Sequence, residues 1–387
     1  MKLSTERILT THVGSLPRSK KVTDLVFAKE NNQAVDEQEF NHTIREAVDT
    51  VVARQVKSGV DVVSDGEMSK ISYATYIKDH ITGFAGDSPR NPPKDLEDFP
   101  GFLQRAAKGG TTPTYSRPCC VSGIEVKSTL PLQEDIANFR VALAKHGPEE
   151  GFMNAASPGV IALFLPNKHY KTQDEYLEAL AEAMRPEYEA IVAAGFILQL
   201  DCPDVGLGRH MLFKNEPEES YIRLASRHIE VLNHALRDVP ADRIRMHVCW
   251  GNYEGPHHHD APMQVVLPIA LKAKPQGLLF EASNPRHAHE WVVFRDTKIP
   301  DDKILIPGVL DSTTNFIEHP ELVAQRIETF ANIVGRERVI AGTDCGFSTF
   351  AGFGAVDEDI VYAKLAAMAE GAQIASKRLW ARSASFA

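Results

Sequence analysis

Short apolar runs of strand length alternate along the chain with longer segments that repeat apolar residues at helical spacing. This alternation is typical of a parallel sheet whose strands are joined by helices. Eight runs end in a polar residue or a glycine, at Ser15, Glu67, Gly159, Asp201, Cys249, Ser283, Ser312 and Gly346. The helical pattern is clearest at Asp36 to Ser58, Thr172 to Ala194, Glu216 to Leu236, His319 to Val334 and Val356 to Lys377.

Eight strand–helix units in one chain predict an α/β fold, a (β/α)8 TIM barrel, in preference to a doubly wound open sheet. The active site of such a barrel lies at the carboxyl ends of its strands. Most polar residues that interrupt the apolar runs do so at those ends. The residues expected to meet at this mouth are Ser15, Asp65, Glu67, Asp201, His247, Cys249, Glu281, Asp311, Asp344 and Cys345.

One segment interrupts the alternation. Residues from about 68 to 126 contain no clean strand–helix unit, and GFAGDSPRNPPKDLEDFPGF is rich in glycine and proline. We predict one TIM-barrel domain over residues 1–387, with this segment inserted after the second strand. Long irregular insertions often form lids or pocket walls. Two roles are open for this insertion, a lid over the active site or a segment without a functional role, and RPCCVSGIEVKS could form a hairpin.

Composition narrows the class of protein. The chain has 387 residues, of which 43% are hydrophobic and 24% charged, as in an ordinary globular enzyme. A net charge of −10 with no basic tract argues against nucleic acid or a membrane surface as partner. There is no apolar run of about 18 residues and no apolar core of a signal peptide at the N-terminus. The 5 cysteines predict free thiols and a cytoplasmic location. The oligomeric state is open.

Four residues at strand ends predict a metal site. His247 and Cys249 alternate along one strand, so both side chains face the same way. Glu281 and Cys345 end later strands in the same manner. Two thiols, one imidazole and one carboxylate are a set that Zn²⁺ accepts as a tetrahedral site, and Zn²⁺ keeps a coordinated thiol deprotonated. The sequence therefore points to chemistry on sulfur, with Glu281 as the ligand that a substrate thiolate would displace.

Several motifs carry a resemblance to a known family. In chain order they are TTHVGSLPR, VVSDGEM, SPGVIALF, AAGFILQLDCPD, MHVCWG, FEAS, PGVLDS and GTDCGF. Their order over nearly the whole length resembles the catalytic barrel of cobalamin-independent methionine synthases and the related single-barrel thiol alkyltransferases. The resemblance implies a TIM barrel, bound Zn²⁺ and alkyl transfer to a zinc-bound thiolate. It places the zinc ligands at His247, Cys249, Glu281 and Cys345, and the homocysteine-binding residues at Ser15, Glu67 and Asp201.

Elementary chemistry agrees with the implied substrate pocket. Homocysteine carries an ammonium group, which two buried carboxylates would bind with charge-assisted hydrogen bonds. Glu67 and Asp201 are the candidates for that role. The carboxylate of the substrate would take backbone N–H or hydroxyl donors, which Gly14 and Ser15 can offer.

The methyl-donor side departs from the family pattern. The family's proton-donor histidine corresponds to Thr313, and its folate-stacking tryptophan to Leu165. The segment after the fourth strand reads DCPD, at residues 201–204. These changes weaken the case for a methylfolate donor and leave the proton donor unknown. The candidates are Asp311, His257, His258 and His259. The three adjacent histidines could also hold a second metal or be a solvated loop.

Three functions remain in competition. The leading one is a zinc-dependent S-methyltransferase that converts homocysteine to methionine, with 5-methyltetrahydrofolate or another small molecule as donor. The second is alkyl transfer to another thiol, as in epoxyalkane:coenzyme M transferases, for which Arg18 or Arg117 would bind the sulfonate. The third is a non-catalytic zinc- or thiol-binding protein that has kept the site and lost the donor pocket.

Overall fold

The computed structural model describes residues 1–88, 92–108 and 117–384. Its strands are β1 (Leu9–Thr10), β2 (Val62–Ser64), β3 (Phe84–Ala85), β4 (Cys119–Cys120), β5 (Glu150–Ala156), β6 (Ile197–Asp201), β7 (Ile244–Val248), β8 (Gly277–Phe280), β9 (Ile304–Leu310) and β10 (Ile340–Thr343). Eight of them form one parallel sheet in the order β1-β10-β9-β8-β7-β6-β5-β2. A parallel bridge between Thr11 and Val62 joins its two ends. The predicted (β/α)8 barrel is confirmed.

Helices surround the sheet on its outer face. They are α1 (Lys20–Glu30), α2 (Glu37–Lys57), α3 (Ile77–His80), α4 (Lys94–Glu97), α5 (Pro100–Lys108), α6 (Leu130–His146), α7 (Pro158–Phe164), α8 (Gln173–Ala193), α9 (Gly208–Met211), α10 (Glu218–Ala235), α11 (Met263–Ala270), α12 (Trp291–Asp296), α13 (Pro320–Val334) and α14 (Glu358–Ala384). The five helices predicted from spacing correspond to α2, α8, α10, α13 and α14. Across the described residues, every helix is too short or too polar to cross a lipid bilayer.

Local start signals explain where the predicted helices begin. The Thr172 hydroxyl accepts a hydrogen bond from the N–H of Glu175 and caps α8. His319 caps α13 in the same way, and Pro320 follows at the first helical position. Helices α1 and α6 were not predicted. Helix α6 starts after Thr129, whose side chain makes no capping bond, so the usual signal is missing.

The interior of the barrel is packed and not hollow. Toward its amino end, small apolar clusters fill the space between strands, and Met1 packs against both of them. Nearer the carboxyl ends, the strands turn polar side chains inward, including Gln199, Arg245 and His247, all of which are buried. Fully burying one aliphatic side chain contributes about 1.5–3 kcal/mol, and this core holds the polar residues above it in place.

The insertion after β2 contains α3, β3, α4, α5 and β4 among its described residues. The RPCCVSGIEVKS run does not fold back on itself, which corrects the hairpin prediction. Its strand β4 pairs antiparallel with β3, and Val126 bridges to Ile81. Most residues from 121 to 127 are exposed, so the run has no second apolar face to bury. The division into one domain with an insertion stays a prediction.

Candidate active site

Three of the predicted metal ligands meet at the carboxyl end of the barrel. His247 lies on β7, Cys249 follows that strand, and Cys345 follows β10. Their ligand atoms all lie within 4.8 Å of one another, and the three residues are buried. The Nε2 atom of His247 is 3.5 Å from the Sγ atom of Cys345. Alternation along β7 places His247 and Cys249 on the same side, as the His-x-Cys spacing predicted.

This group fits a zinc ion. In a tetrahedral site, Zn²⁺ lies about 2.3 Å from a sulfur ligand and about 2.1 Å from a nitrogen ligand. The sulfur and the nitrogen are then roughly 3.6 Å apart. The observed separation of 3.5 Å between His247 and Cys345 agrees with that geometry. The Nδ1 atom of His247 is buried without a hydrogen-bond partner among the described residues. The ring nitrogen that lies beside Cys345 is Nε2, so Nε2 is the atom that would bind the ion.

The charges at the three residues suit a cation. Burial lowers the pKa of His247, so its imidazole is neutral and can act as a ligand. A hydrogen bond from Cys345 lowers the pKa of Cys249, and the same bond with burial raises the pKa of Cys345. The shared hydrogen bond therefore makes Cys249 the more acidic of the two thiols.

Glu281 lies outside this group of three. Its Oε1 atom accepts a hydrogen bond of 2.9 Å from the N–H of Trp250, and its Oε2 atom accepts one of 2.7 Å from Asn284. Burial raises the pKa of the Glu281 carboxyl to about 8. The residue follows β8, and the negative charge of Cys249 contributes to its raised pKa. Both oxygens therefore have hydrogen-bond partners within the protein.

Asp344 fixes the loop that carries Glu281. Its Oδ1 atom accepts hydrogen bonds from the N–H groups of Ala282 and Ser283, and its Oδ2 atom from the N–H of Asn284. The carboxylate therefore binds three successive amides of the β8 loop. The sequence placed Asp344 at the mouth but could not assign it this bracing role.

A first cavity of about 470 Å³ opens above the three ligands. Residues from several strand ends and from the insertion line it: Ser15, Glu67, Tyr73, Pro92, Pro93, Leu96, Leu103, Arg117, Phe164, Asp201, Leu207, Met211, His247, Cys249, Asn252, Tyr253, Cys345, Phe350 and Phe353. The cavity is acidic and polar at the Glu67 side and apolar where the insertion contributes. All three residues that the resemblance assigns to homocysteine line this one space.

Asp201, at the end of β6, is held in place by two side-chain amides. Its Oδ2 atom accepts a 2.8 Å hydrogen bond from Asn154, and its Oδ1 atom accepts one of 3.0 Å from Gln199. Burial raises the pKa of Asp201 to about 6, against the opposing effects of His247 and of both amides. Each carboxylate oxygen keeps a further lone pair that a substrate ammonium can use.

A buried arginine orients one of those amides. Arg245 donates from Nε to Oε1, the side-chain amide oxygen of Gln199, at 2.8 Å. This bond turns the side-chain NH₂ group of Gln199 toward Asp201. The guanidinium also donates to the Thr11 hydroxyl and to the carbonyl of His12. Burial lowers the pKa of Arg245 to about 9. An apolar run containing one arginine gives no signal for such a role, and sequence reasoning missed it.

Glu67 is the second acidic wall of the first cavity. Its backbone has a φ of 58°, a left-handed conformation that is strained for glutamate. Its Oε2 atom is buried without a hydrogen-bond partner among the described residues, 3.9 Å from the Nη2 atom of Arg18. Burial raises the pKa of Glu67 to about 8, although the positive charge of Arg18 opposes the shift. Strain and an unsatisfied acceptor mark a residue arranged for a ligand.

The two arginines proposed for a sulfonate differ in their availability. Arg18 is fully buried and donates to the carbonyls of Glu67 and Ser348. Those bonds use its donors within the protein. Arg117 lines the first cavity, where it lies 5.7 Å from the ring of Phe164 and donates to the carbonyl of that residue.

Ser15 and Gly14 close the strand-1 side of the first cavity. The Ser15 carbonyl accepts a hydrogen bond from the N–H of Phe347, which ties β1 to the loop after β10. Gly14 has a φ of 140°, and a Cβ atom on it would lie 2.2 Å from the side-chain oxygen of Asn154. Only glycine fits between the backbone and the amide that supports Asp201.

Gly14→Ala is expected to destabilise the protein by about 2–5 kcal/mol, from backbone strain of roughly 1–2 kcal/mol plus overpacking of roughly 1–3 kcal/mol. It should also weaken homocysteine binding, because Asn154 must move away from Asp201. Thermal melting and binding titration measure the two effects. Gly195→Ala is the matched control, since Gly195 also has a positive φ of 92° but nothing lies within 4 Å of its added Cβ. Equal losses in both variants would contradict the role of Gly14.

Sequence reasoning also missed Tyr73. The residue is half-buried on the wall of the first cavity, in the loop after Glu67. Burial raises the pKa of Tyr73, and the charges of Asp201, Cys249 and Cys345 raise it further. Its phenol therefore lies close to both the acidic wall and the thiols. An isolated tyrosine in an irregular loop carries no signal that would have found it.

A second cavity, of about 410 Å³, shares Asn252, Tyr253 and Cys345 with the first. Its lining residues include Asn252, Tyr253, His257, Glu281, Asn284, Arg286, Asp311, Ser312, Thr313, Thr314, Asp344 and Cys345. Asp311 accepts hydrogen bonds from the N–H and hydroxyl of Thr313 and from the hydroxyl of Thr314. Leu165, at the family's tryptophan position, is buried beneath α7 and lines neither cavity.

The three adjacent histidines are in different environments. His257 lines the second cavity and donates within the protein. His258 and His259 are more exposed and both bond to Asp98 of the insertion, at 2.9 and 2.6 Å. These two hydrogen bonds fasten the insertion to the loop after β7. The ligand atoms of Asp98, His258 and His259 lie within 4.8 Å of one another.

Comparisons with known proteins find similar sequences along most of the chain. The model of the catalytic domain of the cobalamin-independent synthases matches residues 8–90. A methionine synthase of Saccharolobus solfataricus is 25% identical over 376 residues, which is 96% of this chain and 95% of that protein. A methionine synthase of Thermococcus kodakarensis is 24% identical over 375 residues, covering 96% of this chain and 94% of that protein.

Solved structures agree at the level of the fold. A B12-independent methionine synthase from Shewanella sp. W3-18-1, in complex with selenomethionine, superposes with a TM-score of 0.72 at 18% identity, covering 97% of this chain and 99% of that one. A second structure, from Listeria monocytogenes, gives a TM-score of 0.63 at 19% identity and covers 95% of this chain and 98% of that one. The predicted resemblance is confirmed: the chain is similar to methionine synthases over nearly its whole length and, over residues 8–90, to the catalytic domain of the cobalamin-independent synthases.

Proposed function

We propose that this protein transfers a methyl group to the sulfur of homocysteine and so forms methionine. One observation carries the proposal. The group of His247, Cys249 and Cys345 lies at the floor of the same cavity whose wall holds the Glu67 and Asp201 carboxylates. A thiol site beside an ammonium site matches the two ends of homocysteine. The full-length similarity to methionine synthases supports this reading.

The residues of the cavity would bind and orient the acceptor. Asp201 and Glu67 would take the ammonium group, and their ionisation would be favoured by its positive charge. The N–H and hydroxyl of Ser15 would face the substrate carboxylate. The substrate sulfur would then reach the two cysteines. A Zn²⁺ ion held by His247, Cys249 and Cys345, with Glu281 as the exchangeable fourth ligand, would keep a bound thiol as its thiolate at neutral pH.

The insertion would form the apolar wall over the reacting sulfur. Pro92, Pro93, Leu96 and Leu103 line the first cavity beside the strand-end residues. Asp95 docks this wall on the barrel, because its buried carboxylate accepts hydrogen bonds from the Tyr253 hydroxyl and the N–H of His257. Excluding water strengthens the electrostatic interactions of a thiolate in the site. The insertion is therefore proposed as a pocket wall and not as decoration.

The competing thiol reaction has one supporting feature. Arg117 lines the first cavity and could face the sulfonate of coenzyme M. The two carboxylates at the other wall would repel a sulfonate and have no ammonium to bind. This charge arrangement favours homocysteine. A non-catalytic thiol-binding protein would need neither the second cavity nor the insertion wall.

Titration of the cobalt-loaded protein with homocysteine and with coenzyme M tests the proposal. Homocysteine is expected to change the visible spectrum of Co²⁺ through a new sulfur ligand, whereas coenzyme M should not at the same concentration. A response to coenzyme M alone would favour the alkyltransferase alternative. A spectrum that neither thiol alters would favour the non-catalytic reading. Methionine formation from homocysteine and a methyl donor then completes the test.

A further inference from the structure

Two of the three adjacent histidines converge on one carboxylate of the insertion. The Nε2 atom of His258 lies 2.9 Å from the Oδ2 atom of Asp98, and the Nε2 atom of His259 lies 2.6 Å from the same oxygen. Successive side chains of an extended chain point to opposite sides, yet here the two imidazole rings are 4.2 Å apart. Two imidazoles and one carboxylate therefore face a common point that lies outside the first and second cavities.

We propose that Asp98, His258 and His259 form a further metal site, which binds Zn²⁺ or a similar divalent transition-metal ion and ties the insertion to the loop after β7. Imidazole and carboxylate ligands suit such ions. The site holds no thiolate, so its chemistry differs from that of the group around Cys249. None of its three residues lines the first cavity, so it does not depend on the methyl transfer proposed there.

The three ligand atoms are close enough to share one ion. All of them lie within 4.8 Å of one another. In a tetrahedral zinc site with bonds of about 2.1 Å, two ligand atoms are roughly 3.4 Å apart. Each imidazole would therefore move by less than about 1 Å to admit an ion between its nitrogen and the carboxylate. Water would complete the coordination, since the three side chains are 31–45% exposed.

The protonation of the three groups suits a cation. Hydrogen bonds from His259 and His258 lower the pKa of Asp98, so the carboxylate is ionised at neutral pH. A neutral imidazole carries its proton on either ring nitrogen. Moving that proton from Nε2 to Nδ1 turns a hydrogen-bond donor to Asp98 into a metal ligand at the same position. The ion would thus replace two N–H hydrogens that already point at one oxygen.

His257 fixes the loop and is not a ligand. Its Nδ1 atom lies 3.0 Å from the Asp260 carboxylate, and its Nε2 atom lies 2.9 Å from the carbonyl oxygen of Tyr253. Its backbone N–H donates to the Asp95 carboxylate in the insertion, at 2.9 Å. Its φ of 53° marks a turn directly before His258. The loop is therefore held beside the insertion by bonds that leave both ligand imidazoles out.

Basic side chains near the site have partners of their own. Lys214 forms an ion pair with Glu97, the residue before Asp98. Arg286 donates from Nη2 to the backbone carbonyl of His258 at 3.4 Å and so holds the loop from its other side. The chain as a whole carries a net charge of −10, which favours the approach of a cation.

The position of Asp98 gives the ion a consequence for the first cavity. Asp98 directly follows α4, and Leu96 on that helix lines the first cavity. The ring of Phe99, the next residue, meets the ring of His258 edge to face at 5.3 Å. A metal ion at Asp98 would restrain the helix that carries this wall. The concentration of the ion would then set how firmly the wall is held.

Calorimetric titration of the full chain with Zn²⁺ tests the site. His258→Asn and His259→Asn should each lose one equivalent of Zn²⁺ relative to the wild-type protein, although the asparagine amide can still donate to Asp98. Cys249→Ser should keep that equivalent. His42→Asn is the matched control, because His42 is exposed and lies 3.3 Å from the single carboxylate of Glu46. Mg²⁺ should not compete, since it prefers oxygen ligands.

Hydrogen exchange of the amides of residues 94–99 measures the effect on the insertion. Added Zn²⁺ should slow their exchange in the wild-type and Cys249→Ser proteins and not in His259→Asn. Asp98→Asn serves as a further variant if melting shows that His259→Asn folds poorly. Full zinc stoichiometry in both histidine variants would overturn the site, as would a wild-type protein whose zinc binding is lost entirely in Cys249→Ser. Zinc binding that leaves the exchange unchanged would overturn the tie to the insertion.

Discussion

Under the proposed function, Cys249→Ser is expected to bind Zn²⁺ more weakly than the wild-type protein and to lose thiol activation with it. A serine hydroxyl is not deprotonated at neutral pH and replaces one of the two thiolates that Zn²⁺ favours. Zinc binding of about 10–16 kcal/mol is shared among four ligands, so losing one should lower the affinity by roughly 10²–10³-fold. Zinc retention against a competing chelator and methionine formation are the two measurements.

Cys119→Ser is the control for this variant. Cys119 is also a buried free cysteine, but it lies on β4 in the insertion and lines neither cavity. Its replacement should leave the zinc content and the affinity for homocysteine unchanged, whatever it does to the melting temperature. A Cys249→Ser protein that retains zinc as firmly as this control would exclude Cys249 as a ligand.

Glu67→Gln is expected to lose homocysteine affinity while it stabilises the ligand-free protein. A charge-assisted hydrogen bond contributes about 1.5–3 kcal/mol, so the affinity should fall by roughly 10–10²-fold. Asp201→Asn should lose a similar amount. The gain in stability arises because the Glu67 carboxylate is buried, and its Oε2 atom has no hydrogen-bond partner among the described residues. Calorimetric titration and thermal melting measure the two effects.

Glu67→Gln is also expected to change how the free energy of unfolding depends on pH. The pKa of Glu67 is raised from 4.5 to about 8 in the folded chain. The folded protein therefore holds this proton more tightly than the unfolded chain, and its free energy of unfolding falls as the pH rises from about 4.5 to about 8. Glutamine does not ionise, so the fall should be smaller in Glu67→Gln. The two melting curves should differ most at pH 8 and above.

Glu187→Gln separates a binding carboxylate from a structural one. Glu187 is equally buried, but its carboxylate bonds to His80 at 2.6 Å and does not line either cavity. Its replacement should lower stability and leave homocysteine affinity unchanged. If Glu67→Gln behaved in this way instead, Glu67 would have a structural role and the ammonium would bind elsewhere.

Much of the fold was predictable because its signals are local. Each barrel strand is a short apolar run, and its last residues are polar, as in FILQLD and RIRMHVC. The caps at Thr172 and His319 mark helix starts without any tertiary information. Strand-end position was also enough to predict that His247, Cys249 and Cys345 would meet, because parallel strands bring their carboxyl ends to one face.

The supporting residues of the site were not predictable in the same way. Arg245, Asn154 and Gln199 lie on three different strands. Their support of Asp201 depends on which atom of each side chain faces which donor or acceptor. Single residues inside apolar runs do not reveal such pairings. The hairpin prediction for RPCCVSGIEVKS was wrong for a related reason: its partner is β3, a segment about thirty-five residues earlier, and not its own second half.

The sequence by itself determined the barrel, its order of strands and the residue types at its mouth, because apolar periodicity and strand ends are properties of neighbouring residues. Only the tertiary structure decided how those residues act. Glu281 lies outside the group of three ligands and is hydrogen-bonded to Trp250 and Asn284. His257 and Thr313, from different loops, line the same second cavity. These outcomes depend on contacts between loops of different strands, whose geometry is set by packing across the whole barrel and not by any local pattern.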